Sequence, residues 1–201
     1  MCYSAESSLT AWLLANAAAL LLFCRNQNFD RWNAAFIAVF SSVQLLEAGL
    51  WLGLANSLLT QLVLLVLFLL PLVQSYMGAR LTGSALLGYL AMLYVVLFVF
   101  TLAARVLPAA PGQFRSCVGP NGHLVWQDDA RPLFFTGDAG MYALLGVGLG
   151  VPLLFAKWRG LPLLLVGAAT YASAAARSTT GEFGSLWCYY AVLYALVALL
   201  V

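Results

Sequence analysis

Seven apolar runs of roughly 20 residues, the length needed to cross about 30 Å of hydrocarbon, follow one another along the chain. They lie at 9–24, 34–54, 58–79, 84–104, 139–156, 161–176 and 185–201, separated by Arg, Asp, Asn, Gly or Pro. Charged residues make up 8% of the 201 positions and hydrophobic residues 64%, so little polar surface is left to face water. Soluble domains carry about 25% charged residues. A soluble globular enzyme and a disordered tail are therefore excluded, as is a nucleic-acid binder, which needs a basic face. The expectation is an all-α polytopic membrane protein. A single domain over 1–201 forms a bundle of seven transmembrane helices, with one long loop at 106–138. The lipid bilayer is the first partner this implies, and a larger membrane-protein complex or a homo-oligomer the second.

The sixth run is the least apolar. After Leu161-Pro162 it becomes Gly167-Ala168-Ala169-Thr170-Tyr171-Ala172-Ser173-Ala174-Ala175-Ala176. Such small residues let helix backbones approach closely inside a membrane bundle, so it reads as a buried span.

Orientation follows from the placement of Lys and Arg beside short loops. With the N-terminus outside, the inner segments carry Arg25, Arg31, Arg80, Lys157 and Arg159. The outer segments carry Arg105, Arg115, Arg131 and Arg177. Long loops cross membranes regardless of charge. Setting aside the three arginines around 106–138 leaves Arg177 alone on the outer side. The first run has no basic residue before it and two arginines after it, unlike a cleavable signal peptide. The N-terminus is expected outside and the C-terminus inside.

That orientation puts Cys2, Cys117 and Cys188 on the outer side and Cys24 at the inner end of the first helix. Cys2 and Cys188 both fall near the outer membrane surface and pair if that face is oxidising. The alternative is four thiols packed as small apolar side chains. With His123 the only histidine and no CxxC, zinc and haem sites are not expected.

The long loop holds a hairpin signal: Asn121-Gly122 between Val118 and Leu124-Val125-Trp126. A two-stranded hairpin is marginal alone, so it should rest on the outer helix ends. His123 follows the turn directly and reads as a solvated turn histidine.

Within the spans the one acidic residue is Glu47. Gln44, Glu47 and Trp51 are three and four apart and share a helix face. An ionisable group in hydrocarbon is costly, so it normally faces the bundle interior and is paired or functional. The short turn at 55–57 returns Gln61 to the same depth. Arg177 and Arg105 are candidate counter-charges. Glu47 is then either a lock between helices or the centre of an outward-opening pocket, which Tyr171 and Tyr194 would line. Trp187 and Tyr142 read instead as members of the interfacial aromatic belt. A second polar group, Gln74-Ser75-Tyr76, follows Pro71, which should kink the third helix. Gly146, Gly148 and Gly150 before Pro152 imply close packing or a bend in the fifth.

The only lysine, Lys157, lies in an inner loop, so a retinal Schiff base is excluded. One intramembrane acid is too few for a seven-helix metal hydrolase, and neither a Ser/His/Asp set nor a nucleotide loop is present. Enzyme is the weaker class, and the sequence names no cofactor.

The opening Met1-Cys2-Tyr3-Ser4-Ala5-Glu6-Ser7-Ser8, the Gln44-Leu45-Leu46-Glu47 element with Trp51, the Asn121-Gly122-His123-Leu124-Val125-Trp126 loop and the late Gly184-Ser185-Leu186-Trp187-Cys188 resemble a family of small multi-span membrane proteins of large DNA viruses, algae and other protists. Tyr3 departs from the Trp or Phe more frequent at that position. The resemblance implies one compact membrane domain and a role for Cys2, Glu47, His123 and Cys188. It supplies no mechanism.

Two functional classes follow. One is a small channel, transporter or ligand-binding bundle using the pocket around Glu47. A continuous polar path from Glu47 to Gln74 would favour it. The other is a non-catalytic structural or assembly subunit in which Glu47 is a lock. An exposed small-residue face on the fifth or sixth helix would favour that.

Overall fold

The structure, a computed structural model, describes residues 4–27, 29–110, 112–128, 138–178 and 182–201, with the side chains of 105, 127–128 and 138–145 outside that description. Helix α1 (Ala5–Arg25) starts at Ser4, whose hydroxyl accepts from the Ser7 N–H at 3.2 Å. Glu6 lies in its first turn, where a negative charge suits the helix dipole. It ends at Asn26, which adopts a left-handed conformation (φ 50°) and donates back to the Leu22 carbonyl. Next come α2 (Asp30–Trp51), α3 (Asn56–Thr82) and α4 (Ala85–Thr101), the last running into a π-turn at Leu102–Val106. Gly83 at φ 68° closes α3 and Ser84 caps α4, so two residues join these helices.

The hairpin is present. Strands β1 (Phe114–Val118) and β2 (Leu124–Asp128) pair antiparallel, with Val118 opposite Leu124. The connection is wider than a two-residue Asn-Gly turn: the Gly119 N–H donates to the His123 carbonyl at 2.7 Å. Pro120 and Asn121 occupy the turn's centre and Gly122 takes φ 77°, as a turn with Pro in its second position and Gly at its end requires. After it come α5 (Asp138–Leu153), α6 (Gly160–Arg177), α7 (Phe183–Tyr189) and α8 (Ala191–Leu200). Helices α7 and α8 form a single apolar run broken at Tyr190.

A helical segment therefore stands at each apolar run. Among the described residues, five are long and apolar enough to cross a membrane: α1, α2, α3, α4 with its π-turn, and the α7–α8 run. Helix α5 has 16 residues, and α6 carries the small and hydroxylated residues already noted.

Helix α2 is the central element. On one side Ala15, Ala18 and Ala19 of α1 are buried against it, and Asn16 donates to the Ser41 hydroxyl at 3.0 Å. On another its aromatic residues form a ladder, with Trp32, Phe36 and Phe40 at successive centroid distances of 5.9 and 5.4 Å. Tyr194 of α8 meets Phe36 at 4.9 Å, and Trp187 of α7 meets Phe40 at 5.6 Å.

Helix α3 runs unbroken through Pro71. Its ring packs closely against Gly148 of α5, where a Cβ would stand 2.6 Å from Pro71 Cβ. Pro152 of α5 in turn faces Gly78 of α3, where an added Cβ would be 3.2 Å away. Each helix thus seats its proline on the other's glycine.

Candidate functional site

Glu47 is fully buried near the end of α2 that faces the hairpin, and Gln44 Nε2 donates to its Oε2 at 2.7 Å. The one-turn spacing brings these two together as the shared helix face implies. Two more fully buried polar side chains stand at this level. The contacts Asn16–Ser41 and Gly49–Leu59 fix the helix registers, placing Ser8 of α1 and Thr60 of α3 beside it in depth. Among the described residues, neither Ser8 Oγ nor Thr60 Oγ1 finds a hydrogen-bond partner.

The other described residues expected around a Glu47 pocket make the following contacts. Gln61 Nε2 reaches the Val106 carbonyl at 3.4 Å, at the end of the π-turn. The Trp51 indole N–H is buried and finds no hydrogen-bond partner among the described residues. Tyr194 is not in an outer pocket: its hydroxyl donates to Asn33 Oδ1 at 2.9 Å, one turn into α2 from the opposite end. Arg177 is exposed, its guanidinium 3.5 Å from the Tyr190 hydroxyl. The side chains of Arg105 and Tyr142 fall outside the described residues. Tyr171 and Trp187 exchange the places expected of them. Trp187 is buried between Phe40 and Phe183, whereas Tyr171 is 40% exposed. The reason is the rotation of α6, which points Thr170 and Ala174 at the core and leaves Tyr171 on its flank.

Glu47 and Gln74 are separated along α3. Between Thr60 and Gln74 the same face presents Val63, Leu67 and Leu70, all buried. Gln74 is itself buried, its amide near Gly148, and its backbone carbonyl accepts from Trp32 Nε1 at 2.8 Å.

The hairpin is docked, not free. Asn56, the first residue of α3, pairs with the backbone of Ser116, accepting its N–H at 2.8 Å and donating to its carbonyl at 3.0 Å. At the turn, Asn121 donates through its backbone and side-chain nitrogens to the two carboxylate oxygens of Glu182, each at 2.9 Å. Glu182, at the start of α7, is fully buried. A Cβ on Gly119 would overlap its carboxylate, so any larger residue there must displace the Glu182 side chain. His123 is not solvated, contrary to expectation: it is 4% exposed beneath this turn. Burial pushes its imidazole below the ordinary value of 6.5, with Glu182 opposing in part.

The opposite end carries a second polar cluster that the sequence did not single out. Asp30, 1% exposed, receives Arg25 bidentately at 2.8 and 2.9 Å and the Gln27 N–H at 2.8 Å. Arg159 stands 3.5 Å from it and donates to Gln27 Oε1 at 2.8 Å. The remaining Arg25 donors reach the Leu199 and Ala198 carbonyls at 2.7 and 3.1 Å, capping α8.

Cys24 and Cys117 are exposed and Cys188 is buried, and no disulfide joins these three. Cys2 lies outside the described residues, so its pairing is not placed. Among the described residues no group of three or more metal-ligating side chains is present.

The arrangement is therefore two charged ends around a mostly apolar middle, with a cleft on one side. Between α5 and α6 a cavity of about 340 Å³ is lined by Gly146, Leu149, Gly150, Leu164, Gly167, Ala168, Tyr171 and Trp187. Beside it, α6 exposes Ala168, Ala169, Ala172, Ala175 and Ala176. No family model, no curated protein and no solved structure matches this chain.

Proposed function

We propose that this chain is a multi-pass membrane protein of seven spans that serves as a non-catalytic structural or assembly subunit, docking a partner helix on its α5–α6 face. The N-terminus and hairpin lie on the non-cytoplasmic side and the C-terminus inside, on the Lys/Arg bias of the short loops. The observation that carries the reading is the alanine face of α6 beside the cleft. In lipid, helices associate where small residues let backbones approach, and Gly146 and Gly150, spaced four apart on α5, extend that surface. The cleft offers room for the bulky side chains of a neighbour. Glu47 is then a lock between helices, its carboxylate oriented within α2 by Gln44. Kinship with the viral and protist family belongs to the same proposal, as does a Cys2–Cys188 bond if the outer face is oxidising.

The test is Ala172→Leu together with Ala176→Leu, read as particle mass after gentle extraction from the native membrane. Wild type should run as a larger assembly and the double variant as the lone chain. A wild-type particle with the mass of one chain would contradict the reading.

A second reading, a ligand-binding pocket around Glu47, is favoured by the buried hydroxyls of Ser8 and Thr60 at its level. Glu47→Gln separates the two. As a lock it preserves assembly and leaves any flux in reconstituted vesicles unchanged. At a binding or transport site, the same change abolishes flux while the protein stays folded.

A further inference from the structure

At the end opposite the hairpin, a cavity of about 90 Å³ is lined by Phe29, Phe155, Ala156, Lys157, Trp158 and Arg159. It lies between the α1–α2 joint and the α5–α6 turn. We propose that this cavity binds the phosphate of an anionic phospholipid headgroup, with Lys157 as the principal contact.

Charge supports this first. Arg25, Arg31, Arg80, Lys157 and Arg159 lie at this end. The buried carboxylate facing them, Asp30, is occupied by the fork of Arg25. Lys157 is exposed and, among the described residues, makes no hydrogen bond or ion pair, so its ammonium is available to an anion. Arg159 is held in place by Gln27 Oε1 at 2.8 Å and by the Trp158 ring, 5.5 Å from its guanidinium carbon. One fixed cation and one adaptable cation therefore share a cavity wall, which suits a phosphate with several acceptor oxygens.

Backbone geometry supports it next. Phe29 and Lys157 adopt left-handed conformations, φ 57° and 55°, although neither is glycine. Such conformations cost free energy and tend to gather at ligand clamps. Here they stand on the two sides of one cavity.

The surroundings decide between a lipid and a dissolved anion. Leu154, Trp158 and Leu161 are 71%, 67% and 62% exposed around the cations. An apolar rim with a tryptophan at the end of apolar helices belongs at a membrane surface. A lipid offers acyl chains to that rim and a phosphate to Lys157, whereas inorganic phosphate offers only the latter. The proposal rests on the membrane reading above but not on the assembly face of α6.

The test uses the full chain reconstituted into phosphatidylcholine bilayers containing a minor share of phosphatidylglycerol. Co-purifying lipid is counted by native mass spectrometry. Phosphatidylglycerol should be enriched over phosphatidylcholine. Lys157→Gln should cut that enrichment about fivefold, the worth of one cation beside an anionic membrane surface, while Arg80→Gln at the same end leaves it unchanged. Equal losses in both variants, or no loss, would overturn the site. Displacement of the lipid by millimolar inorganic phosphate would show a dissolved-anion site and overturn it too. Protein stripped from the bilayers by alkaline carbonate would instead refute the membrane reading beneath it.

Discussion

Asp30 shows how much one side chain organises. Its carboxylate receives Arg25, the Gln27 N–H and the charge of Arg159, and through Arg25 it reaches the last turn of α8. Asp30→Ala leaves that partly buried guanidinium without its carboxylate, and losing such a charge-assisted contact costs about 1–3 kcal/mol. Thermal unfolding in detergent should show a fall of that order. Arg31→Gln, whose guanidinium lies over the Phe23 ring 5.3 Å away, should change stability by about 0.5 kcal/mol or less. His123 supplies a dependence on pH. Its folded pKa lies below the ordinary 6.5, so the unfolded chain binds the proton more readily. The contribution is therefore fully present above about 6.5 and is lost as pH falls from there through the depressed value. Protection factors of the 114–128 amides, which correct for the intrinsic pH dependence of exchange, should fall over that acid window in wild type and much less in His123→Gln. An equal fall in both would remove His123 from the account.

At the scale of elements, legibility followed local pattern. The hairpin was readable because Asn121-Gly122 between apolar residues is a short-range signal. The Gln44–Glu47 pair was readable because one helical turn sets it. The partners that dock these elements were not. Glu182 meets Asn121 across 61 residues, and Arg25 reaches Leu199 across 174. Nothing in the local pattern of Glu182 separates it from a solvated loop acid. The exchange of Trp187 and Tyr171 has the same origin: on so uniformly apolar a chain, hydrophobic periodicity does not set how a helix is rotated. Two substitutions test the docking contacts. Gly119→Ala places a methyl against the Glu182 carboxylate and should cost about 1–3 kcal/mol, read as faster proteolysis of the hairpin. Gly148→Leu should force α5 from Pro71 and loosen the α3–α5 pair while α1 and α2 stay packed. Site-specific distance measurements between α3 and α5, and between α1 and α2, would separate those outcomes.

Across the described residues, the charged side chains gather toward the two ends, and the middle is apolar apart from a few polar contacts such as Asn16–Ser41. That distribution suits a bilayer, and among the described residues five helices have the length and apolarity to span one. The interval from Thr60 to Gln74 on α3 is filled by Val63, Leu67 and Leu70, which disfavours a path between the two polar levels. What distinguishes the surface is the alanine face of α6 and the cleft beside it. The central claim is that another protein helix covers this face. The most direct measurement places a photo-activated cross-linker at Ala172 in the native membrane and identifies what it captures. The expected result is one discrete protein adduct, abolished by Ala168→Leu, while a cross-linker at exposed Leu93 on α4 gives no adduct of that mass. Capture of lipid alone at Ala172 would contradict the claim.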